Sequence, residues 1–216
     1  MTTYRSAITG MVLLCCSAVA AAGMAGVDGA ILDLQQRWAQ INYTLQGEDQ
    51  EKAFQALTAD ARKVVSGYPG RAEPLVWLAI ILASDAGASG GLGALGKVKE
   101  ARKLLERAEG IDDRVLSGSV YTTLGSLYYQ VPGWPLSYGN KAKAELYLRK
   151  ALAINPDGID PNYFLGDLLL REDKPVLAIR YLEKAQAAPP RPGRTLADRG
   201  RRQEVAAKLQ LARSRL

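Results

Sequence analysis

One spacing recurs along the chain and constrains the fold more than any other feature. A small or apolar residue is followed by another four positions later and a third three later, and then by a proline five later. Ala178, Leu182, Ala185 and Pro190 fit it, as do Ala144, Leu148, Ala151 and Pro156. Leu57, Ala61, Val64 and Pro69 fit as well, and Ala101, Leu105 and Ala108 fit with Asp113 at the proline position. Steps of four and three place these residues on one helical face, and proline ends the helix. Each such helix has a forerunner with its own stripe. Tyr121, Leu124, Gly125 and Tyr128 form one; Leu165, Gly166 and Leu169 a second; Leu75, Leu78, Ala79 and Leu82 a third. Trp38, Ile41 and Leu45 form a weaker version, with Asn42 at the small position. A small residue inside an apolar stripe lets two helices approach closely, so the pattern predicts helical hairpins.

Composition narrows the chemistry. Histidine is absent, and the only cysteines are Cys15 and Cys16. That excludes His- or Cys-based nucleophilic catalysis, zinc sites with N or S ligands, and haem on histidine. No metal and no cofactor are expected. Glycoside cleavage needs only two carboxylates, and Asp160 and Asp167 are spaced to share a helical face. Asp160, however, precedes Pro161 and reads as a helix N-cap. The expectation is a chain without catalytic residues.

Arg5 is the first charge and Asp28 the next, with an apolar stretch between them that ends in small residues. A basic start, an apolar core and an Ala-x-Ala exit predict a signal peptide over 1–22 and export to the periplasm. A retained anchor is the competing reading. The formal charge of +6 belongs to the C-terminus: residues 189–216 hold eight basic and two acidic side chains, and the rest of the chain balances. This end reads either as a solvated basic cap or as a dock for an anionic membrane surface. Nucleic acid is not expected as a partner.

The helix pairs resemble the tetratricopeptide repeat (TPR) family. The resemblance implies an all-α, right-handed solenoid of about four helical hairpins within 23–190. A basic capping helix within 191–216 would follow, with Val205, Leu209, Ala212 and Leu216 as its apolar stripe and Thr195 as its N-cap. It further implies a non-catalytic scaffold that holds a protein or peptide in a concave groove lined by the first helix of each hairpin. Carried over residue by residue, the groove includes Thr122, Ser126, Tyr129, Tyr163, Asp167 and Arg171, with Gln36, Tyr43, Glu73, Ser119 and Asp160 beside them. The Lys/Asn/Arg set by which some members hold a peptide carboxylate is missing. A shorter stretch is similar to exported bacterial TPR proteins, among them the T components of tripartite ATP-independent periplasmic (TRAP) transporters. It comprises Leu124-Gly125-Ser126-Leu127-Tyr128-Tyr129, then Pro132-Gly133-Trp134-Pro135 with Gly139, and then the helix from Lys143 to Pro156. That similarity implies the alternative role of a small-molecule-binding accessory protein.

Two hairpins are longer than the repeat requires. Gly166 to Ala178 spans 12 residues, Gly125 to Ala144 spans 19, and Ala79 to Ala101 spans 22. The longest holds five glycines within 84–96 and reads as a loop, either structural or ligand-contacting. The other carries Trp134 between two prolines and near Tyr138. There Trp134 serves either as a loop anchor or, with Tyr138, as an aromatic platform for a small ligand.

Overall fold

A computed structural model describes residues 26–216 in full, together with the backbone of the first helix from Thr9. The signal peptide expected at 1–22 lies outside the fully described residues. Among the described residues there are nine helices and no strand. They are α1 (Thr9–Thr44), α2 (Gly47–Gly67), α3 (Ala72–Ser89), α4 (Gly91–Ile111), α5 (Val115–Gln130), α6 (Lys141–Ile154), α7 (Ile159–Arg171), α8 (Pro175–Ala187) and α9 (Thr195–Arg213). Successive helices pair as four hairpins, and each hairpin packs on the next. The first helices α1, α3, α5 and α7 touch one another along an inner layer, with α2, α4, α6 and α8 outside. The chain is an all-α, TPR-like stack.

The hairpin register follows from the small residues. A Cβ on Gly125 would lie 2.6 Å from Leu148 Cγ, and one on Gly166 would lie 2.7 Å from Leu182 Cγ. Ala144 and Ala178 back these contacts with their carbonyl oxygens, at 3.2 and 3.3 Å from the same two points. Leu148, Ala151, Leu182 and Ala185 are fully buried, as the four-and-three spacing requires. In the first hairpin Asn42 differs: it faces the interior of the stack, and Ala39 is buried instead.

The glycine-rich segment 84–96 is helix, not loop. α3 runs to Ser89, α4 starts at Gly91, and the chain reverses at Gly90 and Gly91 with φ of 63° and 66°. An interior glycine costs only about 1 kcal/mol against alanine, and tertiary contacts override that. Here Lys97 Nζ sits 2.7 Å from the buried Asp85 Oδ1, and Ser89 Oγ donates to the same oxygen at 3.0 Å. These bonds tie the two extended helices together beyond the standard hairpin length.

The other insertion is a compact turn closed by its own backbone. Gly139 N donates to Pro132 O, and Asn140 N to Tyr128 O. A Cβ on Gly139 would collide with Val131 O, so only glycine closes this turn. Asn140 then caps α6 by accepting from Lys143 N at 2.9 Å.

Two cap assignments shift. α7 begins at Ile159 behind Gly158, so Asp160 lies inside the first turn and is not the cap. Arg194, one residue before Thr195, takes the cap position of α9. A larger correction concerns α9 as a whole. It does not merely cover the last hairpin; it also crosses the inner layer to pack on α1 and α7. The contact with α1 depends on Gly200, where a Cβ would lie 2.5 Å from Cγ of Tyr43. Gly193 meets Leu32 of α1 in the same way, at 3.0 Å.

Candidate functional site: a chamber closed by the last helix

The inner layer is concave, and α9 spans it. The result is a chamber of about 740 Å³ lined from α1, α2, α3, α5, α7 and α9. Its volume falls in the range of small-ligand sites. Three kinds of wall meet in it.

The α5 wall is built of hydroxyls. Ser119, Thr122, Thr123 and Ser126 all line the chamber. Each donates its proton to a carbonyl of its own helix: Ser119 to Leu116, Thr122 to Gly118, Thr123 to Ser119 and Ser126 to Thr123. Their donors are therefore used, and the lone pairs that remain make this wall an acceptor of hydrogen bonds. At its entry, Leu116 and Ser117 take left-handed φ of 49° and 56°, and both line the chamber. Backbone strain of this kind concentrates at functional sites.

The α7–α9 wall is ionic. Asp160 receives Arg201 Nε at 2.8 Å and Arg191 Nη1 at 2.5 Å. Burial alone would raise the Asp160 carboxyl, but the Arg191, Arg201 and Arg194 charges hold it well below the usual carboxylate range. Asp167 is fixed by three helices at once. It accepts from Tyr129 Oη on α5 at 2.9 Å and from Arg171 Nε on α7 at 3.0 Å, and Lys208 Nζ on α9 lies 2.6 Å away. Burial raises this carboxyl too, and the Lys208 bond and the Arg171 charge pull it below its ordinary value. Both aspartates are thus ionised and paired at neutral pH, and neither has a proton to give to a leaving group.

The third wall is apolar and aromatic: Trp38, Phe54, Trp77 and Ile80. Trp38 and Trp77 meet edge to face at 6.1 Å, and Trp38 Nε1 donates to Ser84 Oγ at 2.8 Å.

Of the residues expected in the groove, Thr122, Ser126, Tyr163, Asp167 and Arg171 come together in the chamber, with Ser119 and Asp160. Tyr129 stands behind the wall as the partner of Asp167. Tyr43 packs on α9, and Glu73 pairs with Arg71. The aromatic loop is elsewhere. Tyr138 donates to Val98 O at 2.8 Å and stacks edge to face on Tyr128, with the Arg102 guanidinium 4.5 Å above its ring. It belongs to a ladder with Tyr128, Tyr147 and Tyr121 between the second and third hairpins. Trp134 is 90% exposed and neither anchors the loop nor joins Tyr138 in a platform.

Sequence reasoning missed the contribution of the C-terminus. Arg191, Arg194, Arg201 and Lys208 line the chamber, so half of the eight basic residues of that end point inward. Of the others, Arg213 pairs with Glu183, and Arg202 and Arg215 bind the carbonyls of Ala188 and Leu170. The signal available was Gly200 amid arginines: a helix meant only for solvent has no need of a close-contact glycine.

No protein-family model matches the chain, and no curated protein matches it. Solved structures similar to it include MamA, at 19% identity over 88% of this chain and 91% of that one, with a TM-score of 0.46. A thermophilic TPR protein of Thermus thermophilus shares 19% identity over 74% and 92%, with a TM-score of 0.42. PilF of Pseudomonas aeruginosa shares 20% over 88% and 93%, with a TM-score of 0.35.

Proposed function

We propose that the chain is a non-catalytic binding module that holds a short extended segment of a partner protein in the chamber. The observation that carries this is the α5 wall. A row of hydroxyls with spent donors and free lone pairs suits the backbone N–H groups of an extended peptide. On the ionic wall both aspartates, Asp160 and Asp167, are paired and supply fixed dipoles in place of an acid or a nucleophile. The apolar wall suits a side chain of the occupant. Export to the periplasm, proposed from the N-terminal sequence, fits a mature chain without thiols.

A photo-crosslinking amino acid placed at Ser126 tests this reading. The same partner peptide should be captured from Ser126 and from Ser119, and not from position 134. Capture from 134 alone would overturn the chamber as the binding site. One observation favours a second reading, a small-molecule accessory protein of the TRAP type. α9 narrows the groove, so a compact ligand fits the space as well as a peptide segment does. That ligand would sit in the chamber and not at Trp134.

A further inference from the structure

Among the described residues, one cation that lines the chamber makes no ion pair. Arg191 and Arg201 share Asp160, Arg191 also binds Asp198, and Arg201 binds Glu204. Arg171 and Lys208 hold Asp167. Arg194 makes no ion pair among the described residues, and its buried Nε has no hydrogen-bond partner. Its guanidinium lies 5.1 Å above the ring of Trp77. Trp77 is itself only 3% exposed, and its indole Nε1 also lacks a partner. Two donors without acceptors thus belong to one stacked pair that lines the chamber, and leaving such groups unsatisfied is costly. The carboxylates nearby do not supply the need: the oxygens of Asp160 and of Asp198 accept from Arg191 and Arg201 and not from Arg194. Arg194 is also fixed in place, as the cap residue of α9 whose N–H bonds Arg191 O at 3.1 Å.

We propose that Arg194 and Trp77 form an anion subsite that seats the carboxylate of an occupant with an apolar body. The proposal rests on the chamber being a binding site. A carboxylate accepts two parallel bonds from the guanidinium fork and a further one from an indole N–H. Arg is suited to this because it binds in a plane while stacked on an aromatic face. Trp38, Phe54 and Ile80 receive the apolar remainder. Two sources offer this chemistry, a small free carboxylic acid and the carboxyl end of a peptide.

Isothermal titration calorimetry on the full-length protein separates them. The probes are octanoate beside octanamide, and a mixed decapeptide pool with free carboxyl ends beside the same pool amidated. At neutral pH the acid form of at least one pair should bind tenfold or more tightly than its amide. Arg194→Gln should abolish that preference, Arg194→Lys should keep part of it, and Trp134→Ala should leave it intact. Trp77→Phe, which removes the N–H and keeps an aromatic face, should weaken the acid severalfold and the amide little. That second variant decides the matter if Arg194→Gln fails to fold by circular dichroism. A preference for octanoate alone assigns the subsite to a small acid, and one for the free-ended pool to a peptide. Equal binding of acid and amide would overturn the subsite while leaving the chamber as a binding site. No binding of either acid would overturn it as well; the crosslinking at Ser126 then decides separately whether the chamber binds a partner.

Discussion

At the residue scale, glycines decide how closely helices approach, and each makes a quantitative claim. Gly166→Leu would drive a side chain into Leu182 and the Ala178 carbonyl. It should destabilise the protein by about 1–3 kcal/mol in urea unfolding, as overpacked sites do. Ser117 makes the opposite claim. It holds φ of 56° without the freedom of glycine. Ser117→Gly should therefore raise stability by about 1 kcal/mol in the same assay, because left-handed geometry costs a side-chain-bearing residue about that much. Gly125 and Gly166 were legible in the sequence, since each directly follows a leucine of the first-helix apolar stripe, Leu124 and Leu165. The left-handed turn at Leu116 and Ser117 was not, because neither residue type favours it. It runs on into Gly118, at φ of 77°, which lies against Ile154, whose nearest side-chain atom would be 3.2 Å from an added Cβ.

At the scale of elements, the pairing of helices was readable and the behaviour of the insertions was not. Composition argued for a loop at 84–96, yet both helices run on through it. Asp85 and Lys97, twelve residues apart, meet only when the helices are continuous, and no local pattern displays that contact. The ion pair is a test of the extension. Lys97→Met should leave Asp85, 2% exposed, without its cation. Thermal and urea unfolding should show a loss of about 3–5 kcal/mol, the usual consequence of stranding a buried charge. Lys97→Arg should recover part of it. The Trp134 turn shows the converse. Its prolines and Gly139 promised a fixed turn, and the backbone bonds deliver one, but the sequence could not say which aromatic would turn inward. Tyr138 does so because its hydroxyl reaches Val98 O while its ring meets Tyr128. Among the described residues Trp134 has no comparable partner.

For the whole molecule, closure by α9 turns an open stack into a ring of helices around polar groups, and its stability should depend on pH at both extremes. Burial pushes the Tyr43 and Tyr163 hydroxyls up to about 12, and Tyr129 well above its ordinary value, also chiefly by burial. A tyrosine in the unfolded chain ionises near pH 10. Since the folded values lie higher, stability is undiminished below about pH 10 and is lost as pH rises through about 12. Tyrosinate absorbance from these residues should appear together with loss of helical circular dichroism, not before it. At the acid end Asp160 and Asp167 are depressed, so their contribution is complete above about pH 4 and falls away as pH drops below that. Titration of the three tyrosines before any unfolding would mean an open groove with solvent-exposed walls.

The ring itself rests on α9 meeting α1, a contact between chain ends that no repeat pattern displays. Disulfide trapping between Tyr43→Cys and Gly200→Cys, in a full-length chain carrying Cys15→Ser and Cys16→Ser, examines it. Those two positions approach within the reach of a disulfide. Mild oxidation should convert the monomer almost completely to an internally bridged form with native circular dichroism. Thiols that stay free, or that join only between molecules, would mean that α9 stands away from α1 and that no chamber exists.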